Sequence, residues 1–306
     1  MAPITERILS VGALTMDTIY HMDRLPGGAG KFLPTSAREN VAGMASAAAT
    51  GIARLGGKVT LWAAVGDDAV GGRLIATLEA EGIDCSAIQR VSGASSAIAT
   101  VVVDRVGERM IIPFYAPGLL SSPRLPAAIE RREFAVVMVD VRWPQAAEMA
   151  MVAARKVGSA VLLDADVAPP EVLNRLAPLA THIVASALGA ALLCGEGTAA
   201  ELTDRLAVRF PVEVAVTAGP EGSYWFDRTC GEVRHVPAPK IAAVDTTAAG
   251  DVFHGAFALA LAEGRDMALS LRFATAAAAL KCTRFGGRLG APNRVETEAF
   301  AAAMGG

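Results

Sequence analysis

The sequence predicts an α/β fold in three layers, with a doubly wound, mostly parallel central sheet and a small β-sheet lid. Three observations lead there. Short, continuous apolar runs alternate with Ala- and Leu-rich helical stretches; two segments alternate apolar and polar residues instead; and the composition is that of a large buried core. Of the 306 residues, 53% are hydrophobic and 19% charged, and 30 Gly and 16 Pro supply tight turns. Such a chain folds rather than remaining disordered. Its length suits one large domain with an excursion better than two independent units.

Taken in order, "ILSVGAL" (8–14) reads as a strand, "ASAAATGIARLGG" (45–57) as a helix closed by glycine, and "VTLWAAVG" (59–66) as a strand. "FAVVMVDV" (134–141), "SAVLLDADV" (159–167), "THIVAS" (181–186) and "VEVAVTAG" (212–219) follow as short apolar strands, with helical patterns between them. Strands without alternation belong in a parallel sheet covered on both faces. Their succession with helices makes a βαβ series. Segments 17–40 and 96–118 break this rhythm, with polar turns at "DRLPGGAG" and "DRVGE". They read as antiparallel hairpins outside the main sheet: two lid insertions in a single domain spanning 1–306, able to cover the carboxyl ends of the main strands. No internal repeat or linker divides the chain.

Charge and cysteine usage exclude several function classes. The net charge is −3, without a basic block, so neither nucleic acid nor an acidic membrane surface is implied as a partner. Cys85, Cys194, Cys230 and Cys282 are scattered without metal-ligand spacing and read as reduced thiols of a cytoplasmic protein. The start, "MAPITERILSVGAL", does not read as a signal peptide. No run reaches the ~18 uninterrupted apolar residues of a membrane span.

The chemistry concentrates in "DTTAAGDVFHGAFALA" (245–260), where Asp245 and Asp251 bracket small residues just as a helical pattern begins near Gly250. An ordinary N-cap needs one Asp or Thr. Ala248, Ala249 and Gly250 go further, because three small residues leave their N–H groups open to approach. The first N–H groups of a helix have no intrahelical partner and make an anion site. Asp251, on the first turn, lies beside that anion and can deprotonate a hydroxyl attacking it. Phosphoryl transfer needs both parts. Competing motifs fail: "GGAGK" (27–31) has Leu25 and Phe32 where a Walker loop needs glycine and a hydroxyl. No GxGxxG follows the first strand, which argues against a dinucleotide-dependent dehydrogenase.

At these residues the sequence resembles the PfkB/ribokinase family of sugar kinases. Its C-terminal signature is matched by Asp245, Thr246, Thr247, Ala248, Ala249, Gly250, Asp251, Gly255, Ala256, Phe257 and Ala258. A looser N-terminal signature is matched by Ala42, Gly43, Gly56 and Gly66, with Ala47 where many members carry a sugar-contacting Asn. The resemblance covers essentially the whole chain and implies a ribokinase-like fold and an ATP-dependent kinase. It implies Asp251 as catalytic base, with the N–H groups of Ala248, Ala249 and Gly250 as the anion hole. Asp17 and Gly43 would then lie at the sugar, and Thr217, Gly219, Gly222 and Gly250 near the ATP phosphates. Segment 280–292, with Lys281 and Gly286, would be the loop that covers adenine. Mg²⁺ is implied too, as is a monovalent cation such as K⁺ at Asp245 and Thr247 with carbonyls of that loop. Ser186 and Gly189 replace the Asn and Glu of an Asn-x-x-Glu motif, so Mg²⁺ is expected to be held mostly by ATP. A low-turnover sugar-binding paralogue is the competing reading.

For the sugar, "GAGKF", "DVRW" and "GDVFHGA" most resemble the 6-deoxy-6-sulfofructose kinases. That resemblance implies Lys31 and Arg142 as contacts to a substrate anion, a role suited to charge-assisted hydrogen bonds. Pro113 stands in place of a third contact, an Asn. Neutral sugars, ribose or fructose, are the alternative. Arg142, and Asp164 and Asp166 after it, stand at strand ends of the kind where ligands bind in such sheets. His254 reads as a packed or capping group; Trp143 reads equally as pocket wall or core. Two lids pairing would cover exposed edges and give a homodimer.

Overall fold

The computed structural model describes residues 7–105 and 108–304. The strands among them are β1 (Arg7–Val11), β2 (Thr15–His21), β3 (Ser36–Ala42), β4 (Lys58–Trp62), β5 (Ala64–Gly66), β6 (Gln89–Val91), β7 (Ile98–Val103), β8 (Arg109–Phe114), β9 (Val136–Val139), β10 (Ala160–Ala165), β11 (His182–Ser186), β12 (Glu213–Thr217), β13 (Gly222–Asp227) and β14 (Glu232–Pro237). The helices are α1 (Met44–Arg54), α2 (Ala69–Ala80), α3 (Ala127–Glu130), α4 (Pro144–Val157), α5 (Pro170–Leu176), α6 (Ala187–Cys194), α7 (Ala199–Arg209), α8 (Ala249–Ala262), α9 (Met267–Cys282) and α10 (Arg294–Ala303).

The main sheet has eight strands in the order β14-β13-β12-β11-β10-β9-β1-β4. It is parallel from β4 to β12 and ends in the antiparallel strands β13 and β14. Successive strand residues point to opposite faces, so an unbroken apolar strand feeds two cores at once. On β9, Val136 and Met138 pack into one core with α1, α8 and α9, while Val137 and Val139 pack into the other with α4. Leu162 and Val184 join the first; Leu163 and Ile183 join the second. The two cores are the reason these strands show no alternation.

Both lid insertions form. β2 pairs antiparallel with β3 and parallel with β7, and β7 pairs antiparallel with β8, giving a separate four-stranded sheet ordered β3-β2-β7-β8. The turn read at "DRVGE" lies partly outside the described residues. Two readings change. The run 8–14 stops being strand at Val11, because Gly12 turns the chain toward the lid at φ +145°. The run 59–66 is two strands: β4 joins the main sheet, whereas β5 pairs with β6 in a two-stranded sheet of its own.

Parallel order puts the carboxyl ends of β1, β9, β10, β11 and β12 along one edge, and the lid leaves the sheet from the end of β1. Contacts between the lid and that edge include the following. Arg109 of β8 donates to the Thr247 hydroxyl at 2.9 Å, Asn40 of β3 donates to the Gly286 carbonyl at 3.4 Å, and the Arg38 guanidinium lies 5.1 Å from the centre of the Phe285 ring. Buried Arg288 secures the floor beneath: it donates to the Val41 carbonyl and the Thr50 hydroxyl and pairs with Glu81.

Candidate active site

Segment 245–251 enters α8 through Ala248, a non-glycine residue in the left-handed region at φ +61°. That conformation costs an L-residue roughly 1–2 kcal/mol and turns the helix start toward the cleft. The Ala249 N–H is taken by the Thr246 carbonyl at 3.2 Å. Those of Ala248, Gly250 and Asp251 have no partner within the described residues. A side chain built on Gly250 would meet nothing within 4 Å. Of the three N–H groups read from sequence as an anion hole, those of Ala248 and Gly250 are open among the described residues, as is that of Asp251, while that of Ala249 is used within the turn.

The Asp251 side chain is largely buried and has no hydrogen bond or ion pair within the described residues. Burial pushes its pKa well above the ordinary carboxylate range, and the negative charges of Asp164, Asp140 and Asp166 add to the effect, with His254 acting the other way. Asp164, near the end of β10, is raised for the same reasons, burial first and the Asp166 and Asp140 charges next. With no internal partner and part of its surface open, this carboxylate is free to meet a hydroxyl.

His254 is a packed group, as read. Its Nδ1 lies 2.7 Å from the Gly250 carbonyl and 3.4 Å from Asp164, and its Nε2 lies 3.1 Å from the Val184 carbonyl, all in the interior. Trp143 is core: it is 1% exposed, donates from Nε1 to the Leu120 carbonyl and meets Trp62 edge-on.

Asp140, after β9, ties three segments together, a role that its place in the sequence does not reveal. Its Oδ2 accepts from the N–H groups of Ala13 at 2.8 Å and Ala45 at 3.0 Å, and its Oδ1 from that of Arg142 at 2.8 Å. One carboxylate thus joins the exit of β1, the start of α1 and the Arg142 turn. Gly12 permits it, since a Cβ there would lie 2.1 Å from the Asp140 carboxyl carbon. The available signal was an acidic residue closing an apolar strand. Gly43 likewise permits a close approach, because at φ +108° its missing Cβ would fall 2.4 Å from the Ala13 carbonyl oxygen.

Asp17 stands on β2, its pKa raised by burial and partly restored by the Thr15 hydroxyl 2.7 Å away. Tyr115, just beyond β8, is pushed up to about 12 by burial and by the nearby Asp140 and Asp17 charges, against Arg142. Asp17, Asp140, Arg142 and Tyr115 therefore share one electrostatic neighbourhood, in which Tyr115 was not singled out by strand patterning. Arg142 is exposed, donates to the Val167 carbonyl at 2.9 Å and lies 3.7 Å from Asp166. Lys31 lies on the exposed lid loop between β2 and β3, with no contact to Arg142.

Thr217 ends β12, and Gly219 and Gly222 carry φ values of +55° and +100° in the turn to β13. Gly222 is also required by packing, because a Cβ would lie 2.1 Å from the Val236 carbonyl oxygen. Gly189 is closed to any side chain: a Cβ would meet the Ala165 carbonyl oxygen at 2.0 Å, and Ser186 caps α6 while donating to Asp166. No group of three metal-ligating side chains converges among the described residues.

The Asp245 carboxylate and the Thr247 hydroxyl, read as ligands of a monovalent cation, already have protein partners. Asp245 Oδ1 accepts from the Thr247 N–H, and Oδ2 from those of Gly286 and Gly287. Burial alone would raise its pKa, but these N–H groups and Lys281 hold it down to about 2. Lys281, read as part of the nucleotide loop, instead turns inward: its side chain is 0% exposed and its ammonium donates to the Asp245 carbonyl.

Comparison with known proteins agrees with this fold. A family model described as "pfkB family carbohydrate kinase" matches residues 5–294. Ribokinase of Bacillus subtilis strain 168 is 28% identical over 302 residues, covering 95% of this chain and 98% of the relative. The crystal structure of a proposed ribokinase from Agrobacterium tumefaciens superposes with a TM-score of 0.93 at 44% identity, over 98% of each chain. Arabidopsis thaliana ribokinase, solved with ribose and ATP, superposes at 0.83 with 24% identity, over 98% of this chain and 99% of its own.

Proposed function

The chain belongs to the pfkB family of carbohydrate kinases, and from that premise we propose that it transfers the γ-phosphoryl group of MgATP to a sugar hydroxyl. Asp251 accepts the hydroxyl proton, and the open N–H groups of Ala248, Gly250 and Asp251 receive the phosphoryl oxygens. The observation that carries this reading is one helix turn bearing both an internally unpartnered carboxylate and unpartnered N–H donors. Placing donors where charge develops, beside the base, is how phosphoryl transfer is catalysed. Thr217, Gly219 and Gly222 are assigned to the nucleotide phosphates, and the loop around Gly286 to the adenine end. Mg²⁺, when bound with ATP, would neutralise charge on the phosphate oxygens; among the described residues no group of three metal-ligating side chains converges.

The sugar is read as an anionic ketohexose of the 6-deoxy-6-sulfofructose type. Lys31 and Arg142 supply cations, and Asp17 accepts from a sugar hydroxyl. Ribose is the second reading, favoured because Arg142 already serves the Val167 carbonyl and because the similar proteins above carry the name ribokinase. Two lids pair in a homodimer: β8 is an edge strand with Ile111 at 52%, Ile112 at 57% and Phe114 at 52% exposure.

The deciding assay compares sulfofructose, fructose 6-phosphate, fructose and ribose on wild type and Arg142→Ala. Removing one partner of a desolvated charge contact costs about 2–5 kcal/mol. Arg142→Ala should therefore lose at least ~30-fold in kcat/KM for sulfofructose and leave fructose turnover almost unchanged. A wild type that prefers ribose would assign the protein to the second reading.

A further inference from the structure

The stretch leading into the anion hole is packed against the end of α9 and the loop after it. The N–H groups of Val244 and Asp245 both donate to the Cys282 carbonyl, at 2.8 and 3.1 Å. A monovalent cation bound there would need several oxygens with free lone pairs. The Asp245 oxygens and the Thr247 hydroxyl are already engaged. The Asp245 carbonyl accepts from Lys281 Nζ at 2.5 Å. Asp245 Oδ2 accepts from Gly286 N–H at 3.0 Å and Gly287 N–H at 2.9 Å, with Lys281 Nζ 3.4 Å away. Oδ1 accepts from Thr247 N–H at 2.8 Å, and the Thr247 hydroxyl is met by the Arg109 guanidinium at 2.9 Å. A second cation would sit against an ammonium that cannot withdraw, because the Lys281 side chain is 0% exposed.

We propose that the Lys281 ammonium is a built-in replacement for the monovalent cation, so that this kinase orders its anion hole without K⁺. Three consequences of the geometry support it. The ammonium brings one positive charge to the residues preceding Ala248, which is what a bound K⁺ would bring. It binds both the carbonyl and the carboxylate of Asp245, and Asp245 in turn holds the N–H groups of Thr247, Gly286 and Gly287, so one charge orders both walls of the phosphate entrance. Its position is covalently set at the last turn of α9, which removes the entropy of capturing a free ion. Lys281 is a positioning residue: it acts on the anion hole through Asp245 and touches no reacting atom.

The activity arm of the test rests on the kinase reading; an ion-binding arm is independent of it. Full-length protein is exchanged into tetramethylammonium chloride at constant ionic strength and titrated with KCl. Phosphoryl transfer is followed as ADP release, and ion capture by ²⁰⁵Tl⁺ NMR and by the melting temperature. Wild type should change by less than ~2-fold in rate and bind no Tl⁺ stoichiometrically. Lys281→Met should lose ~10-fold or more in tetramethylammonium, a loss of about 1.4 kcal/mol per tenfold. It should regain most of that rate in K⁺ or Rb⁺ and show a saturable K⁺-dependent rise in melting temperature. A general structural defect would not be rescued selectively by ions of that size. Activation of wild type by K⁺ of ~5-fold or more, one Tl⁺ bound per wild-type chain, or a Lys281→Met enzyme equally active in both salts would each overturn the proposal. If Lys281→Met does not fold, the wild-type arms decide alone. If no sugar is turned over, Tl⁺ binding still does.

Discussion

At the residue scale, Asp251 sets function against stability. Its pKa in the folded chain lies above that in the unfolded chain, chiefly through burial. The native state therefore holds the proton more tightly, and the stability of the protonated form is lost as pH rises through the folded pKa. At neutral pH a half-buried carboxylate without an internal partner, among like charges, is a cost to the fold. Asp251→Asn should lower kcat by at least ~10²-fold with little change in nucleotide affinity. The same variant should melt higher than wild type, at about 2–4 °C per kcal/mol regained; calorimetry showing a lower melting point would refute the strain. Asp164 tests the electrostatics separately. Its charge is the largest cause of the Asp251 shift after burial, so Asp164→Asn should move the acid limb of the pH–kcat/KM profile to lower pH. The two carboxylates titrate as a coupled pair, so the limb reports both. An unmoved limb would mean that another group sets it.

At the scale of single elements, α6 shows why one family motif is missing. Its third residue is Gly189, pressed on the Ala165 carbonyl at the end of β10, so there is no room for the Glu of an Asn-x-x-Glu motif. The carboxylate nearest that place comes from the adjacent strand end instead, where Asp166 accepts from the Ser186 hydroxyl. Gly189→Ala should cost about 1–3 kcal/mol, as overpacking against backbone does, measured by urea unfolding. A neutral result would show that α6 can slide away from β10. The helix start of α8 makes the opposite use of small residues, since Gly250 faces open space rather than backbone. Two glycines, both at helix starts, thus face packed backbone in one case and open space in the other.

At the scale of the whole molecule, the lid spans distant parts of the chain. β2 and β3 leave from the end of β1, β7 and β8 arrive about a quarter of the chain later, and the assembled sheet rests on the loop around Phe285. The outer strand β8 presents Ile111, Ile112 and Phe114 to solvent, with Pro113 between them. Proline is tolerated on an edge strand, while exposed apolar residues on a free edge invite a partner strand. Ile112→Glu should convert a dimer to a monomer in light scattering without changing the monomer's helix content. A wild type monomeric at micromolar concentration would remove the dimer reading.

Much of this protein was legible in the sequence because the relevant physics is local. An unbroken apolar strand means burial on both faces, alternation means a separate small sheet, and small residues before an Asp at a helix start leave N–H groups open. None of these needs knowledge of distant residues. Tertiary structure decided what depends on partners far along the chain. Lys281 reads as a loop residue until folding sets it against Asp245, 36 residues away. Thr247 reads as a cation ligand until Arg109, 138 residues away, takes its hydroxyl. Asp140 reads as a strand end until the N–H groups of Ala13 and Ala45 converge on it. Hydrogen-bond donors and charges are assigned by topology, and the pattern of residues in one segment does not record which remote group will arrive to claim them.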